Sequence, residues 1–78
     1  MTETDLLYQS RKALGYKQKA FSRFLGYNDE HVVRRWENGT TPIPVMLWRL
    51  LSFMLKEEGL SDLRDDVAAV IQTRREHG

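Results

Sequence analysis

Glycine and proline cut this chain into pieces that suit helices and little else. Glycines at 15, 26, 39 and 59 and prolines at 42 and 44 leave five stretches of helical length among 78 residues. None holds the alternating Val, Ile or Thr run that marks a strand. The spacing predicts helices over 4–14, 17–25, 29–37, 44–57 and 61–75, an all-α chain. Thr4, Asn28 or Asp29, and Ser61 are the expected N-caps of the first, third and fifth helices, because a short side-chain oxygen accepts from the orphaned N–H groups of a first turn. Gly15 and Gly26 are expected to stop the first two helices as left-handed caps. Asn38-Gly39 stops the third, and the loop TTPIP then leads into the fourth, whose first position tolerates proline.

The apolar residues recur at helical spacing. Leu6, Leu7 and Leu14 are expected on the inner side of the first helix. Phe21, Phe24 and Leu25 stand at i, i+3 and i+4 in the second, and Val32, Val33 and Trp36 serve the third. In the fourth, Leu47, Leu50, Leu51 and Met54 form a core stripe, yet Val45, Met46, Trp48, Phe53 and Leu55 are apolar too. A helix apolar nearly all round is buried on more than one side, so the fifth helix or a second subunit is expected to cover it. That fifth helix carries Leu60, Leu63, Val67, Val70 and Ile71. Its Asp62, Asp65 and Asp66 lie early and its Arg74 and Arg75 late, as the helix dipole favours. Trp36 and Trp48 read as core filler.

Size and composition exclude several classes of function. A chain of this length forms one domain, 1–78. It has no cysteine, so neither disulfides nor thiolate sites are available, which fits a reducing compartment. His31 and His77 are too few for a structural zinc site, and no cofactor is expected. The start, MTETDLLYQSRK, is not a signal peptide, and the richest apolar run, IPVMLWRLLSFML, is broken by Arg49. A soluble cytoplasmic protein with no membrane partner is expected. It should not be an enzyme: no nucleophile stands beside a base, no paired carboxylates stand in a plausible cleft, and there is no glycine-rich phosphate loop.

The net charge of +1 hides an asymmetry. Residues 9–36 hold seven cations (Arg11, Lys12, Lys17, Lys19, Arg23, Arg34 and Arg35) against Asp29 and Glu30, a balance of +5. The rest of the chain holds five cations against nine acids, a balance of −4. A basic segment of this kind attracts polyanions by releasing their condensed counterions.

The same segment carries a motif. A steep crossing of the second and third helices needs a small residue at the contact and a turn residue free to take positive φ, and Ser22 and Gly26 fill those positions. QKAFSRFLGY, VVRRWENG and the following prolines, with Arg11 and Leu14-Gly15 upstream, resemble the helix-turn-helix domain of Cro/C1-type (XRE) repressors over residues 7–56. Gln18, Ser22, Gly26, Val33, Trp36 and Glu37-Asn38-Gly39 carry the resemblance, and the "VRRWE-x-G…P-x-P" subset is common in small phage and bacterial regulators. One residue more than the usual pattern separates Gly26 from Glu37, and it is assigned to the turn near Asn28.

The resemblance implies a compact five-helix lambda-repressor-like fold that presents its third helix to the major groove of double-stranded DNA. Base contacts are then expected from Glu30, His31, Arg34 and Arg35, with Val32 beside them. Arg35 suits guanine O6 and N7, and Glu30 suits cytosine N4; an acid at that place also stabilises a helix start without touching DNA. Lys17, Gln18, Lys19, Arg23, Asn38, Thr40 and Thr41 are the expected phosphate contacts. Arg11 and Glu37 are expected to form a structural pair that sets the tilt of the third helix. A homodimer on a palindromic operator is expected, with Met46, Phe53, Leu63, Val67 and Val70 as candidate contacts, some of which must belong to the core. The function implied is transcriptional repression, including autorepression, with no small-molecule effector. The alternative is an antitoxin or adaptor that neutralises a partner protein and binds DNA secondarily. Its signature would be an unstructured tail, and none is expected past residue 76.

Overall fold

The computed structural model describes the backbone of residues 1–77 and the side chains of residues 1–74. The expectations placed on the side chains of Arg75 and His77 lie outside the described residues. The described residues are all-helical: α1 (Glu3–Ala13), α2 (Gln18–Phe24), α3 (Val32–Glu37), α4 (Val45–Glu57) and α5 (Ser61–His77). They gather into two units, Met1–Pro42 with α1 to α3, and a second that begins at Ile43 and holds α4 and α5. No helix among the described residues is long and apolar enough to cross a membrane.

In the first unit, α1 is capped by Thr2 and not by Thr4. Thr2 Oγ1 accepts the Asp5 N–H at 3.2 Å, which satisfies an orphan donor of the first turn. Leu6 and Leu7 are buried, with Ser10 and Arg11 beside them, while Leu14 is half-buried. α2 closes in a tight glycine turn. Gly26 has φ of +92°, its N–H donates to Arg23 O, and Tyr27 N–H reaches back to Ser22 O at 3.1 Å. This double closure satisfies the last carbonyls, and only a residue without Cβ takes that φ without strain. Phe21 is fully buried, whereas Phe24, expected on the same face, is half-exposed. Phe24 lies over Tyr16 and beside Phe21, with ring centroids 5.0 and 6.1 Å away, and so forms the rim of an aromatic cluster.

α3 is shorter than expected. It begins at Val32 and not at 29, with His31 in the cap position. The reason lies in two side-chain oxygens. Asp29 Oδ1 accepts the His31 N–H at 2.8 Å and closes a turn ahead of the helix, so it caps no helical residue. The capping duty passes to another helix: Ser22 Oγ, fully buried in α2, accepts the Val33 N–H at 3.2 Å. Val33 and Trp36 bury their side chains, and Tyr27 meets the Trp36 ring edge-on.

In the second unit, α4 packs on α5. Its buried residues are Leu47, Trp48, Leu51 and Leu55, a stripe rotated from the expected one. Leu50 is exposed and Met54 half-buried. The bulk of Trp48, fully buried, takes the inner face that Leu50 was expected to share. α5 begins one residue after its cap: Ser61 is already helical, and Leu60 O accepts the Arg64 N–H. Val67 is fully buried, so it belongs to the core and has no surface to offer a second copy. Leu63 and Val70 are half-buried, and Met46 and Phe53 are exposed.

Candidate nucleic-acid interface

Each end of α3 is defined by a different kind of contact. At its C-terminal end, Glu37 accepts from Arg11 through two parallel bonds, Nε to Oε2 at 2.6 Å and Nη2 to Oε1 at 3.1 Å. The Gln18 amide donates to the same Oε1 at 3.1 Å. The remaining arm of Arg11 donates to Tyr16 O at 2.8 Å, and the guanidinium lies 5.3 Å from the Tyr8 ring centroid. Both charged side chains are under one-tenth exposed. One ion pair therefore ties α1, the start of α2 and the end of α3 together. A planar guanidinium is the group whose fork geometry allows this.

The other end of α3 is open. Asp29, Glu30 and His31 form the turn that precedes it, and four cationic or titratable side chains gather on their carboxylates. Arg35 Nη2 donates to Asp29 Oδ2 at 2.7 Å. Arg23 Nη2 donates to Glu30 Oε2 at 3.2 Å, while Lys19 Nζ and His31 Nε2 lie 3.6 and 3.8 Å from Glu30 Oε1. The side chains of this group range from one-third to about 70 % exposed. The His31 backbone N–H, and after it Arg35, hold the Asp29 carboxyl below its usual range. The hydrogen bond from Arg23, then the charge of Lys19, do the same for Glu30. Both acids are thus carboxylates at neutral pH, each engaged by a cation of its own chain.

Most of the side chains singled out in the sequence fall in two places. Lys19, Arg23, Glu30, His31 and Arg35 come together at the open end. Gln18, Arg34, Glu37 and Asn38 line a cleft of about 440 Å3 with Thr4, Asp5 and Tyr8 of α1. Arg34 and Arg35 adjoin in sequence, but one helical step turns them roughly 100° apart. Arg34 faces the cleft and Arg35 the turn. Gln18, expected to meet phosphate, has its amide engaged by Glu37. Thr40 is exposed but engaged by its own chain. Its N–H donates to Arg35 O and Asn38 Oδ1, both at 2.9 Å, and its hydroxyl donates to the same Asn38 oxygen. The Thr41 N–H donates to Arg35 O as well. Lys17 is exposed at the cap of α2.

Sequence reasoning missed Asp29 as a site residue. It assigned that residue a capping task, and a separation of six from Arg35 matches no helical pairing rule. It also missed Tyr8, whose place beside Arg11 and Gln18 depends on how α1 crosses the other two helices. Compared with family models, with curated proteins and with solved structures, the chain matches none.

Proposed function

We propose that this chain is a sequence-specific double-stranded DNA-binding regulator of the Cro/C1-type helix-turn-helix class, with a lambda-repressor-like fold, and that it acts as a repressor. The observation that carries this reading is the asymmetry of α3. Its far end is fixed by Arg11, Gln18 and Glu37, and its near end leaves Arg35 and the 29–31 turn in solvent beside Lys19 and Arg23. A short helix held so firmly at one end and so rich in exchangeable charge at the other suits insertion into a major groove. Arg35 is the chief base-reading group, with Glu30, His31 and Arg34 beside it. Lys17, Lys19 and Arg23 serve the phosphates, along with the Gln18 and Asn38 cleft.

The operator is a palindrome bound by a homodimer. Support for a second copy comes from α4, where Met46 and Phe53 are 71 % and 64 % exposed and Leu50 lies between them at helical spacing. Sedimentation of the protein, free and with duplex, reads that state; a monomer under both conditions would remove the dimer.

Selection of bound sites from a random duplex pool tests the reading. The expected result is a short enriched motif containing guanine, with affinity that falls steeply as salt rises. No enrichment, even in dilute buffer, would end it.

A further inference from the structure

The open end of α3 carries two carboxylates at the place where a polyanion would dock. An acid that only stabilised a helix start would cap one of the first-turn N–H groups or stand unpaired beside them. Asp29 and Glu30 do not: both precede α3, and each is bonded to the cations of the same face. Asp29 holds Arg35, and Glu30 gathers Lys19, Arg23 and His31.

We infer that Asp29 and Glu30 are specificity-determining residues that act against duplexes of the wrong sequence. This rests on the DNA-binding reading above. Phosphate competes with each carboxylate for the same cation. When Arg35 or Arg23 turns to the backbone, its acid is left bare beside other phosphates, and like charges at that range repel. A duplex of arbitrary sequence offers nothing in return. A duplex that places a cytosine N4 or adenine N6 amino group at the turn gives the carboxylate a donor. One that places guanine O6 and N7 opposite Arg35 gives the arginine two acceptors in place of Asp29. Only such a duplex exchanges every internal partner for an external one. Discrimination then comes from a repulsive element as well as an attractive one.

The test uses D29N, E30Q and the double variant. Asparagine keeps an oxygen that can accept the His31 N–H, so D29N removes the charge and spares the turn. Both positions are at least one-third exposed, so the variants should fold, which circular dichroism checks. Affinity is measured across a salt series on a duplex selected by the wild type and on a scrambled duplex of the same length. Each substitution should steepen the salt slope on the scrambled duplex by up to about 0.9, which is up to about eightfold tighter binding at 0.1 M salt. The selected duplex should gain clearly less, so the ratio of the two affinities falls.

Unchanged binding to the scrambled duplex would overturn the inference and leave the DNA-binding reading standing. An equal gain on both duplexes would do the same, because it would reduce the acids to bulk charge. If neither wild type nor double variant binds any duplex, the DNA-binding reading falls and the inference falls with it. If the double variant binds duplexes on which the wild type is silent while its affinity for the selected duplex rises clearly less, the inference is upheld.

Discussion

Arg11–Glu37 and Arg35–Asp29 are the same chemical object in two settings. Their shortest contacts are 2.6 and 2.7 Å. The first pair is 8 % and 9 % exposed, the second 38 % and 48 %. Distance therefore says nothing about which pair is permanent. Burial decides it, because a charge withdrawn from water cannot lose its partner without a large desolvation penalty, whereas an exposed one trades its partner for solvent at little cost. The difference teaches how a six-residue helix can be rigid and still available. The inner pair holds it, and the outer pair can be exchanged.

That contrast can be broken or sharpened at four places. Glu37→Ala should have the largest effect. It leaves Arg11 buried and unpaired and should cost about 3–5 kcal/mol of stability, read by denaturant unfolding. A loss no larger than that of a surface substitution would mean that the inner pair is not a pin. Ser22→Ala comes next. It strips the buried Val33 N–H of its acceptor and should cost about 1–3 kcal/mol, with α3 shortened or frayed at its start. Arg35→Ala belongs to the other side of the comparison. Stability should stay within about 0.5 kcal/mol, as for most surface changes. Binding to a selected duplex should weaken by about 1–3 kcal/mol and lose its preference at one base pair. A uniform loss on all duplexes would assign Arg35 to phosphate instead.

The smallest effect is that of Asp29→Asn on stability, and it has a pH signature. The folded carboxyl titrates below its usual value of 3.8, chiefly through the His31 N–H and then Arg35. A depressed pKa contributes stability above the unfolded value and loses it as pH falls through the folded one. Wild type should thus be slightly the more stable at pH 6. The gap should begin to shrink as pH drops below 3.8 and close only under the lowered folded value, where the Asp29 carboxyl is neutral in both states. A gap that persists in acid would show that the difference does not come from the charge of Asp29.

Much of this arrangement could be read from the residues, though not all of it. Arg11 and Glu37 were paired by family resemblance, and the structure joins them. Ser22 was identified as a small residue at a helix contact, but its hydroxyl also caps α3, a task no spacing rule assigns to a residue eleven positions away. Because of that cap and the Asp29 turn, α3 starts at Val32, and Glu30 and His31 stand in the turn before the helix. Val67, named as a candidate dimer contact, is in the core, and the buried stripe of α4 runs through Trp48 in place of Leu50. A helix apolar nearly all round has no pattern that says which stripe wins.

Local sequence sets how many helices form and where four of them end, because a stop depends on the backbone freedom of one glycine and on carbonyls within a single turn of it. Tertiary packing sets which side of α4 is buried, which oxygen caps α3, and which acids hold Arg23 and Arg35. The cap and the acid–arginine pairs join residues six to eleven positions apart, which meet only once the turn before α3 has closed and α2 and α3 have packed.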